Sequence, residues 1–147
     1  MTWKKLSLSI CPIVISAIAA VTASAQLSDT IGTLKFFYDY NKRNILASAE
    51  KMTEANYGFK PSPDIRSFGE VLGHIADVNF MTCSAMKNEA IPNKESVEKT
   101  ARTKDDFLKA LKASYDYCDG AFANLTEATM KETYKVRDRE RPKAGVV

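Results

Sequence analysis

Histidine is the scarcest chemically useful residue in this chain, since His74 is the only one in 147 residues. A catalytic metal normally has about three protein ligands and one open position, so one imidazole alone excludes a self-contained site built from several histidines. Cysteine is also scarce, with three residues, and none has the Cys-x-x-Cys-His spacing that attaches haem. An exported four-helix cytochrome is therefore excluded.

The first 25 residues are typical of a secretory signal peptide. Lys4 and Lys5 precede an apolar run from about Leu6 to Val21, and three small residues end at Ala25. A positive start, a short apolar middle and a small-x-small ending are the parts of such a signal. We therefore expect a signal peptide at residues 1–25, cleavage after Ala25, and a periplasmic or extracellular location without stable membrane insertion. An uncleaved N-terminal anchor is the alternative.

The remaining chain, residues 26–147, has the length of one domain. It carries 19 basic and 18 acidic side chains, a net charge of +1. This balance does not indicate nucleic acid as a partner. Basic residues gather between Lys131 and Lys143, but acidic residues interrupt them. The pattern favours a solvated segment over a phosphate-binding patch.

Apolar periodicity predicts three amphipathic helices in this domain. The first runs from Leu27 to about Met52 and has four aromatic residues between 36 and 40, which we expect in the core. The second begins at the capping box Ser67-x-x-Glu70 and continues to about Lys87. Its broad apolar face, which we expect to pack in the core, contains Phe68, Val71, Leu72, Ile75, Val78, Thr82, Cys83 and Met86. A polar connection follows, and the third helix starts near Thr103. Its apolar stripe contains Phe107, Leu111, Tyr115, Cys118, Phe122 and Leu125.

The helical pattern fades after Thr126, and the chain ends about where a fourth helix would begin. Three amphipathic faces need a fourth to close a bundle core. The predicted fold class is therefore all-α, a helical bundle whose fourth helix is largely missing from this chain.

Two cysteines, Cys83 and Cys118, remain after the signal peptide. An oxidising compartment allows thiols to pair, so a disulfide between them is the simple expectation. Two free buried thiols are the alternative, because each lies on an apolar helical stripe where cysteine packs as a small hydrophobe.

His74 falls at the edge of the apolar face of the second helix, beside Val78 and Met81. It is the candidate metal ligand, and an ordinary packed or exposed side chain is the alternative. Asp77 lies one turn further along the helix. It either accepts a hydrogen bond that orients the imidazole or is a solvated helix charge.

Several motifs of the chain resemble the DinB superfamily, and particularly its exported members. The most specific are Tyr57-x-Phe59-x-Pro61-x-Pro63, Arg66 to Glu70, and Gly73 to Asp77, followed by Cys83 and by Tyr117-Cys118-Asp119. The resemblance implies a four-helix bundle. It also implies a divalent metal, such as zinc, nickel or iron, held by one histidine of the second helix and two of the last. His74 matches the first of these, and no residue matches the other two.

Two functional hypotheses follow. In the first, the protein is a metal-binding relative of the thiol-dependent transferases that the resemblance implies. His74 is then one ligand of a metal site that this chain leaves incomplete, and a small thiol or an electrophile is the substrate. In the second, the protein is a non-catalytic exported bundle that forms a homodimer or binds a partner through an exposed apolar groove. No catalytic residue is assigned in either hypothesis.

Overall fold

The computed structural model describes residues 12–136 and 139–145, with side chains from residue 30 onward except those of 135 and 136. The order of elements within these residues is α1 (Pro12–Lys51), α2 (Phe68–Lys87), α3 (Val97–Thr100), α4 (Lys104–Ala123), α5 (Glu127–Lys131), β1 (Thr133–Val136) and β2 (Arg139–Pro142). Short 3₁₀ turns follow α1 and β2. The all-α prediction is confirmed, with one small hairpin added.

The start of α1 differs from the prediction, because the helix begins at Pro12 and not near Leu27. No glycine or proline interrupts residues 13–31, so the apolar run continues into the amphipathic helix without a break. Residues 1–11 of the predicted signal peptide lie outside the described residues. The signal peptide, its cleavage and export therefore remain predictions. Within the part of the chain that is described, no helix has the length and apolar character needed to cross a membrane.

Capping boxes fix the starts of α2 and α4. At α2, the Glu70 amide donates to the Ser67 hydroxyl at 3.2 Å, and the Ser67 amide donates to the Glu70 carboxylate at 2.6 Å. Thr103 and Asp106 form the same arrangement at α4. The predicted positions of both helices are confirmed because these signals are local in sequence.

The core lies mainly between α2 and α4, which share the largest contact surface of the fold. The predicted stripe of α4 is buried, except that Phe122 is half-buried. A disulfide joins Cys83 of α2 to Cys118 of α4, with a Cα–Cα distance of 5.3 Å. The predicted pairing is confirmed, and the alternative of two free thiols is not observed.

A contact between Tyr38 and Asp119 joins α1 to α4. The Tyr38 ring stacks on Phe122 with centroids 3.9 Å apart, and its hydroxyl donates to Asp119 at 2.7 Å. Lys42 pairs with the same carboxylate at 2.6 Å. Burial, followed by the hydrogen bond to Asp119, raises the pKa of Tyr38 above its usual value.

The prediction that the aromatic residues of α1 belong to the core is wrong for three of the four. Phe36, Phe37 and Tyr40 are exposed, and Tyr38 alone packs against α4. Consecutive residues of a helix point about 100° apart, so one packed face cannot accept all four rings. The stripe through Ile31, Tyr38 and Ala49 is the face that packs.

The described residues after Thr126 form a five-residue helix and an antiparallel hairpin, and no long fourth helix. The hairpin pairs Thr133 with Pro142 and Val136 with Arg139. Lys143 follows the hairpin, is buried, and donates to the Glu132 carboxylate at 2.7 Å. This contact joins the residues after the hairpin to the end of α5.

Candidate functional site

His74 lies on an exposed side of α2, where it contacts a carboxylate from α3. Its Nδ1 atom is 3.0 Å from Oε2 of Glu98, and the other oxygen of Glu98 accepts a hydrogen bond of 2.7 Å from Nε of Arg66. An ionised carboxylate can only accept, so this contact places the ring proton of a neutral His74 on Nδ1. Nε2 is then the ring nitrogen with a free lone pair.

Glu98 is ionised at neutral pH. The hydrogen bond from Arg66 is the largest influence that holds the pKa of Glu98 below its usual value, and His74 lowers it further. The Glu98 side chain is 24% exposed and that of His74 is 46% exposed. Solvent therefore screens the interaction, and the arrangement orients the imidazole more than it stabilises the fold.

Two glycines of α2 allow the neighbouring elements to approach. A Cβ atom on Gly73 would lie 2.7 Å from the Glu98 Cα atom and 2.8 Å from its nitrogen. A Cβ atom on Gly69 would lie 2.6 Å from the Phe107 ring. Any side chain at Gly73 would thus push away the backbone that carries Glu98. Both glycines belong to the sequence motifs that run from Arg66 to Glu70 and from Gly73 to Asp77.

Asp77 holds α3 in place and does not contact His74. One of its oxygens accepts hydrogen bonds from the Val97 amide at 2.8 Å and from Asn93 at 3.0 Å. The other accepts from the Ser96 hydroxyl at 2.7 Å and from the Glu98 amide at 3.2 Å. Two roles were predicted for Asp77, a partner that orients the imidazole and a solvated helix charge. Both predictions are therefore wrong. Sequence periodicity did not reveal the contact because α3 was predicted as part of a loop.

Glu98, and not Asp77, is the carboxylate that contacts the imidazole of His74. Metal-binding histidines usually donate their second ring proton to a carboxylate or carbonyl, and this fixes which nitrogen faces the metal. No local sequence signal indicates that Glu98 contacts His74, because 24 residues separate them.

An apolar stripe flanks His74 along α2. Val71, Val78 and Met81 lie three, four and seven residues from it, and their exposed fractions are 41%, 37% and 53%. The prediction that Val71 and Val78 are core residues is wrong, because no element among the described residues covers this side of the helix. The imidazole therefore lies between an exposed apolar stripe of α2 and the ion pair of Glu98 with Arg66.

The side chains around His74 do not form a metal site with three protein ligands. Among residues 12–136 and 139–145, no group of three or more histidine, cysteine or acidic side chains could hold a metal ion. His74 contributes one nitrogen, and both oxygens of Glu98 are already hydrogen-bonded.

Comparison with curated proteins and with solved structures finds no match to the chain. A family model described as the DinB superfamily matches residues 38–146, which include α2, α3 and α4. The match covers well over half of the chain and contains His74 together with the motif around it. The chain therefore belongs to the DinB superfamily.

Proposed function

We propose that this protein is an exported member of the superfamily that binds a divalent metal through Nε2 of His74. Zinc, nickel and iron are the candidate metals. The observation that carries the proposal is the 3.0 Å contact between His74 Nδ1 and Glu98, which leaves the opposite nitrogen available and oriented. Members of the superfamily are often associated with metals.

The described residues supply one ligand and the carboxylate that orients it, and they do not supply a full set. The remaining donors would come from water, a substrate or another subunit, so binding by this ligand alone is weak. We assign no reaction step to the metal. A low-molecular-weight thiol is the first substrate to test, because a thiolate is a good ligand for zinc.

Calorimetric titration of the full-length chain with Zn²⁺ and Ni²⁺ tests the role of His74. We expect His74→Ala to remove the saturable binding. Glu98→Gln should weaken it by about 10- to 100-fold, the usual effect of losing an orienting partner. Glu95→Gln is the matched control, because Glu95 is exposed and its side chain has no hydrogen bond or ion pair among the described residues. Equal affinity of the original chain and His74→Ala would refute the proposal.

Export has a separate test. N-terminal sequencing of the protein recovered outside the cytoplasm should begin at Gln26. A product that still begins at Met1 would contradict cleavage after Ala25.

Self-association through α2 is the second candidate function, and the exposed stripe of Val71, Val78 and Met81 favours it. Apolar surface of this kind is typical of association sites. Sedimentation velocity over a hundredfold concentration range should show a dimer that Met81→Glu dissociates. Ala47→Glu is the control, since Ala47 is exposed on α1. A monomer at every concentration would exclude this candidate.

A further inference from the structure

A cleft of about 530 Å³ lies between the turn after α1, the start of α2, α3 and the start of α4. Its volume is within the range of small-molecule sites. Two buried aromatic residues, Tyr57 and Phe107, form part of its lining, with ring centroids 6.0 Å apart. Each ring reaches the cleft with a small part of its surface, because Tyr57 is 4% exposed and Phe107 is 6% exposed.

Three cations of the cleft lining form no ion pair with a carboxylate among the described residues: Lys99, Arg102 and Lys104. Arg102 donates to the neighbouring carbonyl of Ala101 at 2.8 Å. Lys104 donates to two carbonyls at the end of α1, each at 2.8 Å. The side chain of Lys99 has no hydrogen bond or ion pair within the described residues.

The carboxylates of the cleft are mostly neutralised by other groups. Glu70 pairs with Lys60 at 2.9 Å, and Glu98 pairs with Arg66 at 2.7 Å. Glu54 is the one carboxylate of the lining without an ion pair among the described residues. Among the lining residues, cations without an ion pair therefore outnumber carboxylates without one. The Tyr57 hydroxyl is an exception, because burial and then the charges of Asp105, Glu50 and Glu54 raise its pKa.

We propose that this cleft binds a small organic anion, a carboxylate or phosphate attached to a ring or a short apolar group. Lys99 and Arg102 would form charge-assisted hydrogen bonds with the anion. The apolar part would pack against the rings of Tyr57 and Phe107. His74 itself does not line the cleft, but Glu98, which contacts His74, does, so the two proposed sites share this one residue.

Amide chemical shifts of the full-length chain in low-salt buffer, titrated with benzoate, provide the test. We expect saturable shifts at Gly58, Gly69 and Lys99. Benzamide has the same ring without the charge, so its affinity should be at least about tenfold lower. Phenyl phosphate in a third titration shows whether the cleft prefers a phosphate or a carboxylate. Absence of saturable shifts with both anions, or equal affinity for benzamide, would overturn the proposal.

A double variant, Lys99→Ala with Arg102→Ala, tests the cations directly. Both side chains are exposed, so the fold should remain, and benzoate affinity should fall by about tenfold or more. The control is Arg43→Ala with Lys131→Ala, which removes the same two residue types away from the cleft. Equal affinity of the two double variants would show that net charge alone attracts the anion, and would overturn the assignment. A failure of metal binding at His74 would not affect either result.

Discussion

Reduction of the disulfide should lower the free energy of unfolding by about 4 kcal/mol. The bond joins Cys83 to Cys118 across a sequence separation of 35 residues. In the chain-entropy account, a cross-link that closes a loop of this length lowers the conformational entropy of the unfolded chain. This loss raises the free energy of unfolding by about 4 kcal/mol at room temperature. Both residues are buried, with exposed fractions of 2% and 1%, so the reduced thiols would still fill the same space. The loss should therefore arise mainly in the unfolded state.

Urea unfolding of the oxidised and the reduced protein, followed by circular dichroism, measures this loss. If the free energy of unfolding falls by about 2 kcal/mol per molar urea, the urea midpoint should fall by about 2 M when the disulfide is reduced. Cys83→Ala with Cys118→Ala is the control, because a reductant should not change its midpoint. If reduction shifts the unfolding free energy of the original chain by less than about 1 kcal/mol, the reasoning is refuted.

Three further predictions concern the surroundings of His74 and the start of α2. Gly73→Ala should lower the free energy of unfolding, measured by thermal unfolding, by about 1 to 3 kcal/mol, because the new Cβ atom would meet the backbone of α3. Gly120→Ala is the control and should not destabilise the fold, because a Cβ atom there has open space around it. Asp77→Ala should cost about 1 to 2 kcal/mol and release α3, which amide chemical shifts would show; unchanged shifts would contradict its role as a cap. The hydrogen bond from Lys60 is the largest influence that lowers the pKa of Glu70 from 4.5 to about 2. Ionised Glu70 therefore contributes stability above pH 4.5 that is lost as the pH falls toward about 2, and Glu70→Gln should flatten the acid dependence in that interval.

The sequence predicted the parts of the fold that depend on local signals. Ser67 and Glu70 are three residues apart, and this spacing alone determined where α2 begins. The α4 stripe of Phe107, Leu111, Tyr115 and Cys118 follows helical periodicity and is buried as predicted. The cysteine pair was predictable because only two cysteines follow residue 25.

Contacts between residues distant in sequence could not be predicted in this way. Glu98 lies in a four-residue helix that has no periodic pattern, so its contact with His74 depends on how α3 packs at Gly73. The exposure of Val71 and Val78 depends on which neighbour is present, and amphipathic spacing cannot supply that information. The pairing of β1 with β2 was not predicted because charged residues dominate both strands.

The attachment of α1 has a consequence for how the molecule opens. α1 contains no cysteine, and it meets α4 over a smaller surface than α2 does. An element held by a limited noncovalent surface can detach at a lower free energy than a pair that is covalently joined. The most slowly exchanging amide hydrogens should therefore lie in α2 and α4, and α1 should behave as a separate cooperative unit that loosens first. Detachment would expose the Phe122 ring and leave Asp119 without the Tyr38 hydroxyl.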